Sequence, residues 1–303
     1  MTSKWILAGV VLLAAILVVV VNFVVDKPRQ TGELIVAATI FPLADIVQNI
    51  VGEEIKVVQI IPSGASPHSY ALTPQQVAQV EGAKIIFAIG HGLDDPIIDS
   101  VNGVSEAQVI IVDEGIGLRE FEDEHEDEHH AHGESNVDPH YWLAVPNAEI
   151  IAATVARKMS QLDPEQKDIY QQNLENYTVQ LDDLENKLQE MARGIGQRNF
   201  VAMHDSWSYF AKQYGLTLVA TYEPVEGRQP SVSELKDLDE LIKREKIAVF
   251  YTEPQKAATS AVRFLKDEFG LQIRTLDPIG GFGEKNSYVE LMLGNMRTLT
   301  RDL

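Results

Sequence analysis

Imidazole is the commonest protein ligand for borderline metals such as zinc, so histidines gathered at related places in a chain raise a metal hypothesis. Here His140 lies in Asp138-Pro139-His140-Tyr141-Trp142-Leu143, just after residues 120–134, which hold eight acids and four histidines. His68 and His204 fall, like His140, where a strand is expected to hand over to a loop. In open α/β sheets ligands collect outside the carboxyl ends of the strands, so these three positions are candidates for one shared site. A lone buried histidine is more often structural, but three at equivalent junctions reverse that expectation. The fourth donor stays open between Asp277, in Thr275-Leu276-Asp277-Pro278-Ile279-Gly280-Gly281, and Glu253, in Tyr251-Thr252-Glu253-Pro254. Asp277 equally suits a turn cap before glycines, and Glu253 is placed as a supporting residue. Asp138 and Asp205 are expected to support, because ligating imidazoles donate their other N–H to a carboxylate or carbonyl.

Three neutral imidazoles and one carboxylate suit tetrahedral Zn2+, whereas Mn2+ prefers more oxygen ligands. A three-histidine site with an open position also serves hydrolytic zinc enzymes. The chain carries no H-E-x-x-H helix, no G-x-S-x-G elbow and no glycine-rich phosphate loop, since Gly280-Gly281-Phe282-Gly283 is followed by no Lys-Ser/Thr pair. A binding protein rather than an enzyme is therefore expected. Coordination needs neutral histidine, so metal affinity is expected to fall as pH drops through about 6.5, the ordinary imidazole value.

The elements that must position these residues follow an α/β alternation. Short β-branched runs at 34–40, 55–61, 84–88 and 109–112 alternate with helical segments at 43–51 and from Pro74, describing a first parallel-sheet lobe over residues 33–162. Within it, residues 115–137 have no apolar periodicity and read as a solvated acidic loop. Residues 163–194 read as one long helix of roughly 30 residues, about 45 Å in length. Asp163 is its expected N-cap, and Tyr170, Leu174, Tyr177, Leu181, Leu184, Leu188 and Met191 make its apolar stripe. Gly194 and Gly196 mark its end. A second lobe over residues 195–303 repeats the alternation, with a capping box at Ser231-Val232-Ser233-Glu234. The expected fold is thus α/β: two parallel-sheet lobes joined by one long rigid helix, which favours small lobe movements over wide closure.

Residues 5–25 are an apolar run interrupted by Asn22 and preceded by Lys4. Such a run can cross a hydrocarbon core of roughly 30 Å. With no small-residue cleavage site after it, residues 1–32 are expected to be a membrane anchor helix and tether, leaving the remainder extracytoplasmic. Cleavage to a free periplasmic protein is the alternative. The chain of 303 residues has no cysteine, which excludes disulfides, thiolate metal sites and a lipidated N-terminal cysteine. Its net charge of -20 argues against nucleic acid and suits a cationic ligand.

Ser66-Pro67-His68-Ser69-Tyr70 running into Thr73-Pro74, the Asp138–Leu143 stretch, and Met203-His204-Asp205-Ser206-Trp207-Ser208-Tyr209-Phe210 resemble the zinc/manganese solute-binding proteins of ABC transporters, the TroA-like class. Arg228-Gln229-Pro230-Ser231 and the stretch around Asp277 add to the likeness, which spans about residues 33–303. The resemblance implies two lobes with the metal between them, ligand roles for His68, His140, His204 and Asp277, and a membrane permease as partner to a monomeric binder. Manganese members tend to have glutamate where this chain has His204, and a histidine-rich loop before the second ligand belongs to the zinc branch. A manganese binder, a metal-dependent adhesin and a zinc hydrolase remain the alternatives. The acidic loop either captures zinc and passes it to His140 or is a solvated spacer.

Overall fold

The computed structural model describes residues 34–103, 105–121, 136–222, 232–281 and 286–303. The expected anchor at 1–32, most of the acidic run, the capping box at Ser231 and Phe282-Gly283 lie outside the described residues. Among the described residues no helix is long and apolar enough to cross a membrane.

Four short runs of mostly β-branched and small residues form the first sheet: β1 (Ile35–Ala38), β2 (Lys56–Gln59), β3 (Ala83–Ala88) and β4 (Gln108–Ile111). They pair in parallel in the order β2-β1-β3-β4. The central strands β1 and β3 are buried on both faces apart from Ile35 and Lys84, while the edge strands alternate or lie half-exposed, as a sheet covered by helices requires. The covering helices are α1 (Phe41–Val51), α2 (Pro74–Glu81) and α3 (Asp95–Asn102). Thr73 and Gln76 close a reciprocal capping box at the start of α2.

The second sheet repeats this topology with β5 (Asn199–Ala202), β6 (Thr217–Thr221), β7 (Val249–Thr252) and β8 (Gln272–Thr275) in the order β6-β5-β7-β8. Again the central pair, β5 and β7, is the buried one. In both sheets the strand order reverses between the two central strands, opening the crevice at their carboxyl ends where open α/β sheets bind ligands.

Between the sheets run α4 (Val145–Leu162) and α5 (Lys167–Arg193); α6 (Ser208–Tyr214), α7 (Val232–Glu245) and α8 (Ser260–Phe269) connect the strands of the second sheet, and α9 (Tyr288–Asp302) follows it. Helix α5 has 27 residues and begins later than its sequence suggests. Pro164–Gln166 forms a 3-10 turn, and Asp163 makes no side-chain cap; its carboxylate accepts from the Tyr170 hydroxyl at 3.1 Å. The buried stripe is Tyr170, Tyr177, Leu181, Leu184, Leu188 and Ala192, with Leu174 and Met191 half-buried. Through it α5 packs against α1 and α4 on one side of the chain and α6 and α9 on the other, so one rigid element touches helices of both halves. It ends before Gly194, whose backbone is right-handed, so that glycine's conformational freedom is not used there.

The halves also meet directly. The Trp142 indole donates to the Pro278 carbonyl at 2.8 Å, and the buried Tyr288 hydroxyl donates to the Trp142 carbonyl at 2.7 Å. At Gly281 the backbone has φ +82°, and a Cβ there would lie 2.0 Å from Ser63 Oγ and 2.9 Å from Ser63 Cβ. Ser63 belongs to the loop that carries His68, so this glycine sets how closely the second half approaches it. A Gly281→Ala variant must therefore strain its backbone and displace the Ser63 side chain or its loop, at about 1–3 kcal/mol, lowering the melting temperature by roughly 2–12 °C. Gly117→Ala, where no atom lies within 4 Å of the added carbon, should melt within about 1 °C of the parent. Calorimetric scans of the two variants compare these outcomes.

Candidate metal centre

His68 sits in a one-turn 3-10 helix, Pro67–Ser69, in the loop leaving β2. The buried ring of Pro67 fixes the entry, and Gln76 at the start of α2 ties the loop down: its amide nitrogen donates to the Ile60 carbonyl at 3.1 Å, and its carbonyl oxygen accepts from the Tyr70 hydroxyl at 2.8 Å. His204 follows β5, whose extension is held by the Met203 amide donating to the Tyr251 carbonyl at 2.7 Å. His140 precedes the buried 3-10 turn Tyr141–Leu143, anchored by the Tyr141 hydroxyl on the Ile89 carbonyl at 2.8 Å.

These three histidines come from separate parts of the chain and meet in a nearly equilateral triangle, with ring centroids 5.5 Å (His68–His140), 5.2 Å (His68–His204) and 5.3 Å (His140–His204) apart. One nitrogen from each lies within 4.8 Å of the others. His140 and His204 are buried and His68 is half-buried. Among the described residues this is the group of histidines and acids able to share one ion.

Asp138 orients His140. Its Oδ1 accepts from the His140 ring Nδ1 at 2.8 Å and from the His140 amide at 2.9 Å, which places the ring proton on Nδ1 and the lone pair on Nε2. Burial alone would raise the Asp138 pKa, but the hydrogen bonds from the His140 ring, the Ser208 hydroxyl and the His140 amide help hold it below the ordinary carboxylate value. The Trp142 ring packs against His140 at a centroid distance of 5.3 Å.

Asp277 lies two residues beyond β8, is 4% exposed, and is not in the three-histidine group. Its Oδ1 accepts from the Ile279 and Gly280 amides at 3.2 and 2.8 Å, the turn-capping arrangement that its position before glycines allows. Asn295 on α9 holds the same residue by its main chain, accepting from the Asp277 amide at 2.9 Å and donating to its carbonyl at 2.7 Å. Glu253 directly follows β7 and is also outside the group, with Gln255 donating to its Oε2 at 3.1 Å. Asp205 is half-buried. Sequence reasoning gave no role to Asn295, Ser208, Tyr209 or Tyr288. Their partners lie 18, 70, 71 and 146 residues away, and no local pattern encodes such pairs.

Residues 36–302 match the sequence profile of the family described as zinc-uptake complex component A, periplasmic. The chain is 25% identical over 318 residues to the high-affinity zinc uptake system protein ZnuA of Bacillus subtilis (strain 168), covering 100% of this chain and 99% of that protein. It is 27% identical over 253 residues to the manganese ABC transporter substrate-binding lipoprotein PsaA of Streptococcus mitis, covering 80% of each. A crystal structure of ZnuA superposes with a TM-score of 0.77 at 25% identity, covering 89% of this chain and 99% of that one. With its paired parallel sheets and its histidine triangle, the chain belongs to the zinc-uptake complex component A family, the substrate-binding components of zinc and manganese ABC importers.

Proposed function

We propose that this protein is the extracytoplasmic zinc-capturing component of an ABC importer, holding one Zn2+ by His68, His140 and His204 and passing it to a membrane permease. The observation that carries the reading is the convergence of three imidazoles at centroid distances of 5.2–5.5 Å. Zn–N bonds of about 2.0–2.1 Å in a tetrahedron put the nitrogens roughly 3.3 Å apart. Nitrogens already within 4.8 Å of one another need draw in by no more than about 1.5 Å, a side-chain adjustment rather than a refolding. Asp277 is the fourth donor in this reading. The apolar run at residues 5–25 would tether the binder beside its permease and raise their effective concentration.

Zinc is favoured over manganese by the donor set, because three nitrogens suit a borderline cation and Mn2+ a harder, oxygen-rich shell. The likeness to a manganese-named lipoprotein supports a second reading in which Mn2+ is the cargo. His204 is where the two readings part. A His204→Glu variant, which replaces a nitrogen by an oxygen donor, should lose Zn2+ preference relative to Mn2+ in competitive titration, and a wild-type protein that prefers Mn2+ would overturn the zinc assignment.

Structural zinc sites hold about 10–16 kcal/mol over four ligands, so each of His68→Ala, His140→Ala and His204→Ala should weaken zinc binding by about two to three orders of magnitude. Asp277→Ala should do likewise; retention of wild-type affinity would remove it from the ligand set. Deleting residues 122–135, which spares the Glu120–Val137 bridge at the loop's base, should leave one tight zinc per chain in the same titration.

A further inference from the structure

We propose that Ser208 and Tyr209 are positioning residues for metal capture: two hydroxyls at the start of α6, in the second half of the chain, hold Asp138 and through it aim His140, a ligand carried by the first. The inference rests on the three-histidine reading of the metal site and adds to it a dependence of one half's ligand on the other half's helix.

Every polar group of Asp138 is engaged. Oδ1 takes the His140 ring and amide, and Oδ2 accepts from the Ser208 hydroxyl. Its carbonyl accepts from the Tyr209 hydroxyl at 3.3 Å, and its amide donates to the Arg119 carbonyl at 2.9 Å. The same Tyr209 oxygen accepts from the Arg119 amide at 2.8 Å. Tyr209 thus links the two chain segments at the base of the acidic loop, where the Phe121 amide also donates to the Asn136 carbonyl at 3.0 Å. The bonds from α6 to Asp138 span 70 and 71 residues of sequence, so they are tertiary contacts rather than features of a local turn.

Asp138 has no solvent exposure, so water is not at hand to replace a missing donor. Without the Ser208 hydroxyl, Oδ2 is stranded, and a stranded buried carboxylate relaxes by rotating toward other donors. Rotation breaks the alignment of Oδ1 with His140 Nδ1, and with it the constraint that presents Nε2 to an ion. A simple loop cap would need the bonds to the His140 amide and Arg119 carbonyl alone. The two hydroxyls from α6 are what a structural turn does not require. Metal affinity and the α6 contact are then thermodynamically linked, each strengthening the other.

The test uses the full chain and compares Ser208→Ala, Ser208→Thr, Tyr209→Phe and His140→Ala. Zinc dissociation is followed by competition with a chelator, melting temperatures are taken with and without zinc, and the His140 ring nitrogens are observed by 15N NMR in the zinc-loaded state. Loss of a partner behind a ligating histidine commonly costs 10–100-fold in affinity, so Ser208→Ala should release zinc about tenfold faster and narrow the gap between loaded and metal-free melting temperatures. Ser208→Thr, which keeps the hydroxyl, should restore both, and Tyr209→Phe should shift them in the same direction as Ser208→Ala. The His140 nitrogen resonances should move in Ser208→Ala. If both melting temperatures fall equally while zinc release and the nitrogen shifts stay put, the hydroxyls are merely structural and the proposal fails. If His140→Ala itself binds zinc as the parent does, the site reading fails instead, whatever Ser208→Ala shows.

Discussion

A carboxylate fully withdrawn from water must find a donor for each oxygen, and much of the metal centre is arranged around that requirement at Asp138. One oxygen is satisfied by His140, which fixes the tautomer of that ring; the other is satisfied by a residue of the opposite half, which brings α6 against the segment leading into His140. The phenol of Tyr209 is pushed by burial up to about 12, so it stays protonated and can donate to Asp138 while accepting from Arg119. Satisfying one buried charge thereby orders the base of the acidic loop, a histidine ring and a helix start.

The fold was legible wherever periodicity or punctuation is local. β1 to β4 fall on or within about a residue of the β-branched runs at 34–40, 55–61, 84–88 and 109–112, and helices intervene as the alternation requires, because the central strands of a parallel sheet under helices are continuously apolar. Asp163 shows where local signals mislead: aspartate before proline is a cap signature, yet the Tyr170 hydroxyl claims its carboxylate and a 3-10 turn precedes the helix. At the site, His68 and His204 were legible because the loops leaving strand ends are where such sheets bind ligands, whereas His140 follows no named strand and joins them from the segment before a 3-10 turn. Asp277 could be read as ligand or turn residue, and its contact with the Ile279 and Gly280 amides explains why the sequence alone left both open. The roles of Ser208, Asn295 and Tyr288 come from tertiary proximity, and no spacing rule reaches across 18 to 146 residues.

Charge and chemistry point the same way. A chain with a net charge of -20 presents an attractive field to divalent cations, and within it lies a small nitrogen-rich triangle of the kind that suits borderline metals. The broad field and the compact cluster of rings are thus separate features of the molecule, one spread over the chain and the other confined to three side chains.

Gly281 carries a consequence of a mechanical kind. Its α-carbon approaches the Ser63 loop so closely that there is no room for even a methyl group, and the Trp142 indole is bonded across the same seam. Two bodies touching this tightly on one side, with a 27-residue helix spanning both on another, can slide by fractions of a side chain but have little freedom to swing. A joint held at both places favours local adjustment over a change of outline. Any surface that such adjustment alters is the texture of the seam, the loops around Ser63 and Gly281, rather than the breadth of an opening.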